Sequence, residues 1–261
     1  MKVLQVTHHS LPCVGGIEKF VFDLCTFLKK EKVDSNILCL DQCPGSPKKL
    51  PKKETVGQVE IQRIPFIDLR YYKVAPRVLS AIKDSDILHV HNIGFFSDFL
   101  ALTKPLHKKK LLLNTHGGFF HTKKISFFKK IYFNTVFRIS MHFFDLVIAD
   151  SKNDEQVFGP ILGKKLKLIG NGVKIDEFLK LGQKKQKNSF LFVGRLSKNK
   201  GLPELLGAFA VVAKKFPDAK LCIVGEDFDD IKVKLELLAI QLGIEKNVEI
   251  LGGVSKKRLL E

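Results

Sequence analysis

Two cations stand just beyond a hydrophobic stretch in SFLFVGRLSKNKG, residues 189–201. Phe190 to Val193 read as a short buried strand, Gly194 as a turn, and Arg195 and Lys200 as the charges on that turn. A helix follows, with Pro203 in its first turn and Leu205, Leu206, Phe209 and Val212 at helical spacing. Such a strand-to-helix turn aims backbone N–H groups and the positive end of a helix dipole at one point. Two cations there suit a leaving group with more than one negative charge, such as a diphosphate; the alternative is a pair of solvated surface charges. A second site of this kind is Gly15-Gly16, between a strand at 2–6 and a helix whose stripe is Ile17, Phe20, Val21, Leu24, Phe27 and Leu28. The glycines bring backbone close to a ligand, or simply make a tight turn. His116 ends a strand at 110–115 and precedes Gly117-Gly118, where open α/β sheets bind ligands; backbone carbonyls could equally satisfy its ring. His89 and His91 share one face of the strand 87–91. No carboxylate or thiol stands near them in sequence, so they read as cleft lining rather than a metal site.

Strands and helices alternate around these residues. Further strands are expected at 36–40, 59–65, 146–149, 166–169, 220–224 and 248–251, and helices at 75–82 and 231–242. Residues 42–57 read as a Pro/Lys/Gly loop, and Ser255 as the cap of a last helix. The apolar-free run 182–188, GQKKQKN, reads as a linker, which gives a first domain of residues 1–183 and a second of residues 184–261. The class is α/β, with two Rossmann-like doubly wound domains. In the segment 126–144, Lys130, Asn134, Arg138 and His142 recur every four residues beside Phe127, Ile131, Phe133, Phe137, Ile139 and Phe143. That stripe is either a basic face for an anionic membrane surface or the outer side of a helix packed on the sheet.

The chain has 261 residues, 44 Lys and Arg against 27 Asp and Glu, and a formal net charge of +17. Such a charge favours anionic partners. The lysines are dispersed and no nucleic-acid recognition motif is present, so no specific nucleic-acid partner is expected. Five cysteines, an odd number without a CxxC pair, point to a reducing compartment, with those inside strands and helices serving as small core residues. The first residues lack a secretory h-region and no apolar run reaches membrane-spanning length, so the expected place is cytoplasmic, peripheral to a membrane at most.

Taken in order, GGIEK (15–19), DILHVHN (86–92), THGG (115–118), DLVIADS (145–151), NGV (171–173) with Phe178, FVGRLSKNKG (192–201) and IVGED (223–227) resemble the motifs of the retaining glycosyltransferases of family 4. Those enzymes have the GT-B architecture of two facing Rossmann-like domains. Two positions depart from the pattern: Lys174 follows NGV in place of an Asp, and Asp227 replaces a glycine. The resemblance implies transfer of a hexose from a nucleotide diphosphate sugar to a hydroxyl of a glycan or lipid-linked acceptor, with retention and without a metal or other cofactor. By position in the motifs, Gly15 and Gly16 approach donor and acceptor, His116 lies by the transferred sugar, Arg195 and Lys200 neutralise the departing diphosphate, and Val254 lies near the base. Stabilisation of charge that develops in the transition state is worth a few kcal/mol per cation. The family's paired-glutamate motif lies further on than this chain reaches. The resemblance therefore implies an incomplete second domain, an apolar edge on its first strand, and a chain inactive alone. The alternatives are a non-catalytic remnant that binds anions or an anionic membrane, and another chemistry on the same fold such as sugar-nucleotide epimerisation.

Overall fold

The computed structural model describes residues 1–69, 72–117, 131–175, 187–255 and 258–259. They divide into two compact units, Met1–Lys174 and Ile175–Glu261. The expected linker 182–188 falls largely in residues 176–186, outside the described residues, as do Phe178, Gly118, Phe127 and Lys130.

The first unit runs β1 (Lys2–Val6), α1 (Gly16–Lys30), β2 (Asp34–Leu40), β3 (Lys53–Val56), β4 (Val59–Ile64), β5 (Ile67–Asp68), β6 (Lys73–Val74), α2 (Val78–Ala81), β7 (Ile87–His91), α3 (Phe95–Leu102), α4 (Lys104–His107) and β8 (Lys110–Asn114). It continues with a π-helix (Phe133–Phe137), α5 (Arg138–His142), β9 (Leu146–Ala149), α6 (Lys152–Leu162) and β10 (Leu166–Leu168). Eight strands form one sheet in the order β10-β9-β8-β7-β1-β2-β4-β3. Every pairing in it is parallel except β3 with β4.

Alternation along each strand sends side chains to opposite faces, and both faces are buried. Leu38 and Leu40 of β2 join Leu4, Val6, Leu88, Val90, Leu111 and Leu113 in one core, covered by Phe96, Phe137, Met141 and Phe144. Ile37 and Cys39 of the same strand turn the other way, into a core with Val21, Cys25, Val59 and Ile61. Within the segment 126–144, then, the described part packs Phe137, Met141 and Phe144 on the sheet, while Asn134, Arg138 and His142 are exposed. Ile131 and Ile139 lie on the outside with them, 46% and 56% exposed.

The second unit holds β11 (Ser189–Val193), a 3-10 turn (Lys198–Lys200), α7 (Leu202–Lys215), β12 (Lys220–Val224), α8 (Lys232–Gln241) and β13 (Val248–Leu251). Its three strands are parallel in the order β11-β12-β13. Leu202, Leu206, Phe209, Leu221, Ile223 and Leu235 make its core. Arg258 N–H donates to Ser255 Oγ at 3.3 Å, the capping expected there.

Three expectations need correction. Residues 190–193 are not a buried strand: Phe190, Leu191 and Val193 are 48%, 62% and 53% exposed, because β11 is a sheet edge and pairs with β12 alone. The loop expected at 42–57 contains β3, whose exposed polar residues carry no apolar alternation to read. The cysteines are not all reduced: Cys13 and Cys43 form a disulfide that ties the loop before α1 to the loop after β2. Cys25 and Cys39 are free and buried, and burial pushes both thiols up to about 12.

Candidate active site

From β1 the chain winds through β2 and β4 to one side of the sheet, and from β7 through β8, β9 and β10 to the other. The β1/β7 junction is therefore a topological switch point, and the carboxyl ends of its strands form a crevice. His8 and His9 follow β1, and Asn92, at φ 77°, follows β7. With Tyr72, Lys73 and Phe95 they line a cavity of about 280 Å³. Burial lowers the titration of both histidines, His8 to about 4, so both rings are neutral near pH 7. His9 Nδ1–H donates to the Gln42 carbonyl at 2.9 Å, which leaves the Nε2 lone pair free. Lys73 pairs with Asp68 at 2.6 Å.

His116 sits at the end of β8 in a left-handed conformation, φ 47°. Side chains satisfy its ring, not backbone carbonyls. Nε2 lies 2.9 Å from His91 Nδ1, and Nδ1 lies 3.0 Å from Asp150 Oδ2. Asn171 Nδ2–H donates to the same carboxylate oxygen at 2.9 Å. Phe20 of α1 meets the His116 ring edge-on, with centroids 5.3 Å apart. In the strand before it, the His89 and His91 rings lie 4.3 Å apart between centroids, tilted by 38°. The expected pair thus lies inside the sheet, behind His116. Burial lowers His89 to about 4 and holds His91 well below the ordinary histidine range.

Gly15 is extended, and an added Cβ would meet only the flexible carboxylate end of Glu18. At Gly16, the first residue of α1, an added Cβ would meet nothing within 4 Å. No side chain caps the helix, so its first N–H groups remain open to a ligand. Phe20, one turn on, connects this helix start to His116.

In the second unit Arg195 and Lys200 share the loop between β11 and α7, and both are exposed. The Arg195 guanidinium lies 4.7 Å over the Phe228 ring, a contact that orients it without cancelling its charge. Neither cation has a carboxylate partner among the described residues. The loop is sewn to the end of β12: Gly194 N–H donates to Val224 O at 2.9 Å and Leu196 N–H to Glu226 O at 2.8 Å. Lys198 N–H donates to Asp229 Oδ2 at 2.9 Å. Gly201, at φ 64°, turns the chain into α7, a conformation that favours glycine. Val254 is half-buried beyond β13.

Sequence reasoning missed three contributors at His116. Gln5, fully buried on β1, accepts from His91 Nε2–H at 2.8 Å; a glutamine inside an apolar strand was the available signal. Asp150 and Asn171 stood in recognised motifs but without their part at His116. Asp227, the departure from glycine, accepts from the N–H groups of Ile231 and Lys232 at 2.8 and 3.1 Å and so serves the start of α8.

Comparison with known proteins points to one family. The profile of Glycosyltransferase Family 4 matches residues 14–177, and that of Glycosyl transferases group 1 matches residues 173–261. A GDP-mannose:cellobiosyl-diphosphopolyprenol alpha-mannosyltransferase of Xanthomonas oryzae pv. oryzae is 34% identical over 99% of this chain and 69% of its own length. The enzyme of that name from Komagataeibacter xylinus is 32% identical over 99% of this chain and 66% of its own. Among solved structures, Anabaena Alr3699/HepE in complex with UDP and glucose superposes with a TM-score of 0.65 at 17% identity, over 98% of this chain and 70% of that one. An alpha,alpha-trehalose-phosphate synthase from Burkholderia xenovorans in complex with glucose-6-phosphate gives 0.71 at 13% identity, over 99% and 76%. At these identities the likeness to solved structures is one of fold. The chain belongs to glycosyltransferase family 4 and is a glycosyltransferase of GT-B type.

Proposed function

We propose that the protein, against the expectation of a chain inactive alone, transfers a mannosyl group, with retention, from GDP-mannose to a hydroxyl of a diphosphopolyprenol-linked oligosaccharide. The observation that carries this is 34% identity, over 99% of the chain, to a transferase named for that donor and that acceptor class. The site chemistry supports it. Arg195 and Lys200, free of carboxylates, receive the diphosphate of the donor as the bond from the anomeric carbon to the β-phosphate oxygen breaks. The acceptor oxygen bonds to the same face of that carbon, and its proton passes to the departing phosphate oxygen. Neither step calls for a metal. The cavity between His8, His9 and Lys73 suits the terminal sugar of the acceptor: an aromatic wall stacks on a pyranose, and the His9 Nε2 lone pair accepts from a hydroxyl. Gly16 leaves room at the open start of α1, and Val254 flanks the base.

A membrane-bound acceptor calls for a peripheral enzyme. The exposed Ile131, Ile139 and Arg138 favour docking on an anionic surface, and we place the protein there. The test is a transfer assay with a short-chain polyprenyl-diphosphate disaccharide and, in separate reactions, GDP-mannose, UDP-glucose and UDP-galactose, with and without EDTA. The expected product is an α-mannoside formed from GDP-mannose alone, at a rate EDTA does not change. Faster transfer from a UDP-sugar, or loss of activity in EDTA, would refute the reading.

A further inference from the structure

The hydrogen bonds at His116 do not end at His91. An unbroken chain runs from Cys25 of α1 to Asp150 beyond β9. Ser35 Oγ lies 3.4 Å from Cys25 Sγ, Gln5 Nε2 donates to Ser35 Oγ at 3.2 Å, and Gln5 Oε1 lies 2.8 Å from His91 Nε2. His91 Nδ1 then meets His116 Nε2, and His116 Nδ1 meets Asp150 Oδ2. Gln5, Ser35, Cys25 and His91 are all 0% exposed, so their polar atoms depend on one another.

The directions follow from which atoms can donate. The Gln5 amide N–H is engaged with Ser35, so its oxygen faces His91 and can only accept. His91 therefore donates from Nε2. Burial, with His89 beside it, keeps His91 neutral, so its one proton is used and Nδ1 is an acceptor. His116 must then donate from Nε2. The Asp150 carboxylate accepts too, so His116 also donates from Nδ1. A histidine that donates from both nitrogens is an imidazolium. The enclosure of Asp150 favours the same result. Its side chain is 11% exposed, and no Lys or Arg pairs with it among the described residues. A carboxylate so enclosed calls for a cation, and His116 is the group in place. Among the described residues His116 is faced by His89 and His91 from β7, Asp150 after β9, Asn171 beyond β10 and Phe20 from α1, and none of these is a cation.

We propose that Gln5 and Ser35 are positioning residues that act through His91 to hold His116 as a double donor, a fixed cation at the end of β8. The use of that cation beside an anionic donor rests on the transferase reading above; the proton count does not. Two arrangements compete, and His116 is neutral in both. One turns the Gln5 amide over, reverses the donors from Cys25 as far as His116 Nε2 and ends on the Cys25 S–H, a weak donor; the other protonates Asp150, which then donates to His116 Nδ1.

Nitrogen-15 NMR of the histidine side chains near neutral pH decides between them, with His116→Gln assigning the signal. We expect both His116 ring nitrogens protonated in the wild type, one of the two lost in Gln5→Leu, and both restored in Gln5→Glu, which keeps an oxygen facing His91. Ser35→Ala, a smaller change that frees the Gln5 amide to turn, should lose part of the same signal. A single protonated nitrogen on His116 in the wild type overturns the proposal, even if no variant folds. So do two protonated nitrogens that persist in Gln5→Leu. Transfer activity is read separately: an inactive protein with the expected spectrum would remove the functional reading and leave the relay standing.

Discussion

Gly225 holds the cation loop in place, and replacing it with alanine should dislodge Arg195. At this position, φ 158°, an added Cβ would stand 1.8 Å from the Gly194 carbonyl oxygen and 2.6 Å from its carbon. Both neighbours are backbone, so no side chain can swing aside. Non-bonded contact begins near 3.0 Å, so the ends of β11 and β12 must part by about 1 Å. That breaks two bonds now at 2.9 and 2.8 Å, Gly194 N–H to Val224 O and Leu196 N–H to Glu226 O. Two lost bonds at about 1 kcal/mol each, with overpacking strain of about 1–3 kcal/mol, give a local cost of roughly 3–5 kcal/mol. Hydrogen exchange reads this locally, amide by amide. Protection at Gly194 and Leu196 should fall by at least about a hundredfold, since about 1.4 kcal/mol is a factor of ten, while Val6 and Val90 of the first unit keep theirs. GDP affinity should fall with it, because Arg195 is the next residue after Gly194. Wild-type protection at both amides would show that the close approach is not what fixes the loop.

Two other outcomes follow from the structure. His89 is 8% exposed and held at about 4 against 6.5 unfolded, so the unfolded chain binds its proton first. Its contribution to stability is fully present above about pH 6.5 and is lost as pH falls toward 4, about 3 kcal/mol in all. Urea titrations at stepped pH should show that slope, and His89→Leu should remove its share, leaving the part contributed by His8 and His91. On the outer side of α5, Arg138→Glu with Ile139→Asp should cut flotation with anionic vesicles severalfold and leave the fold, monitored by circular dichroism, unchanged; equal flotation would assign the face to solvent.

The parallel strands of the first unit were legible because each carries Val, Ile or Leu at successive or alternate positions, as in LLL of β8 and LVI of β9, and burial is what such patterns specify. β3 was not, since KETV is an exposed edge held by hydrogen bonds to β4. α3 was not either: in FFSDFLAL buried residues surround the axis, and no stripe marks a face. The candidate site divides in the same way. His116, Arg195 and Lys200 stand at strand ends, where local pattern locates them. Gln5 acts on a histidine 86 residues away, and Cys13 meets Cys43 across 30 residues. Only the folded sheet brings those partners together, and no local spacing encodes them.

The central claim is that the guanidinium of Arg195 and the ammonium of Lys200 receive the diphosphate of the sugar donor. Titration calorimetry of GDP into the wild-type protein and into Arg195→Ala/Lys200→Ala measures this directly. Each charge-assisted bond is worth about 1.5–3 kcal/mol, so the double variant should bind GDP at least about a hundredfold more weakly while guanosine binding stays as it was. Equal GDP affinity in the two proteins would contradict the account.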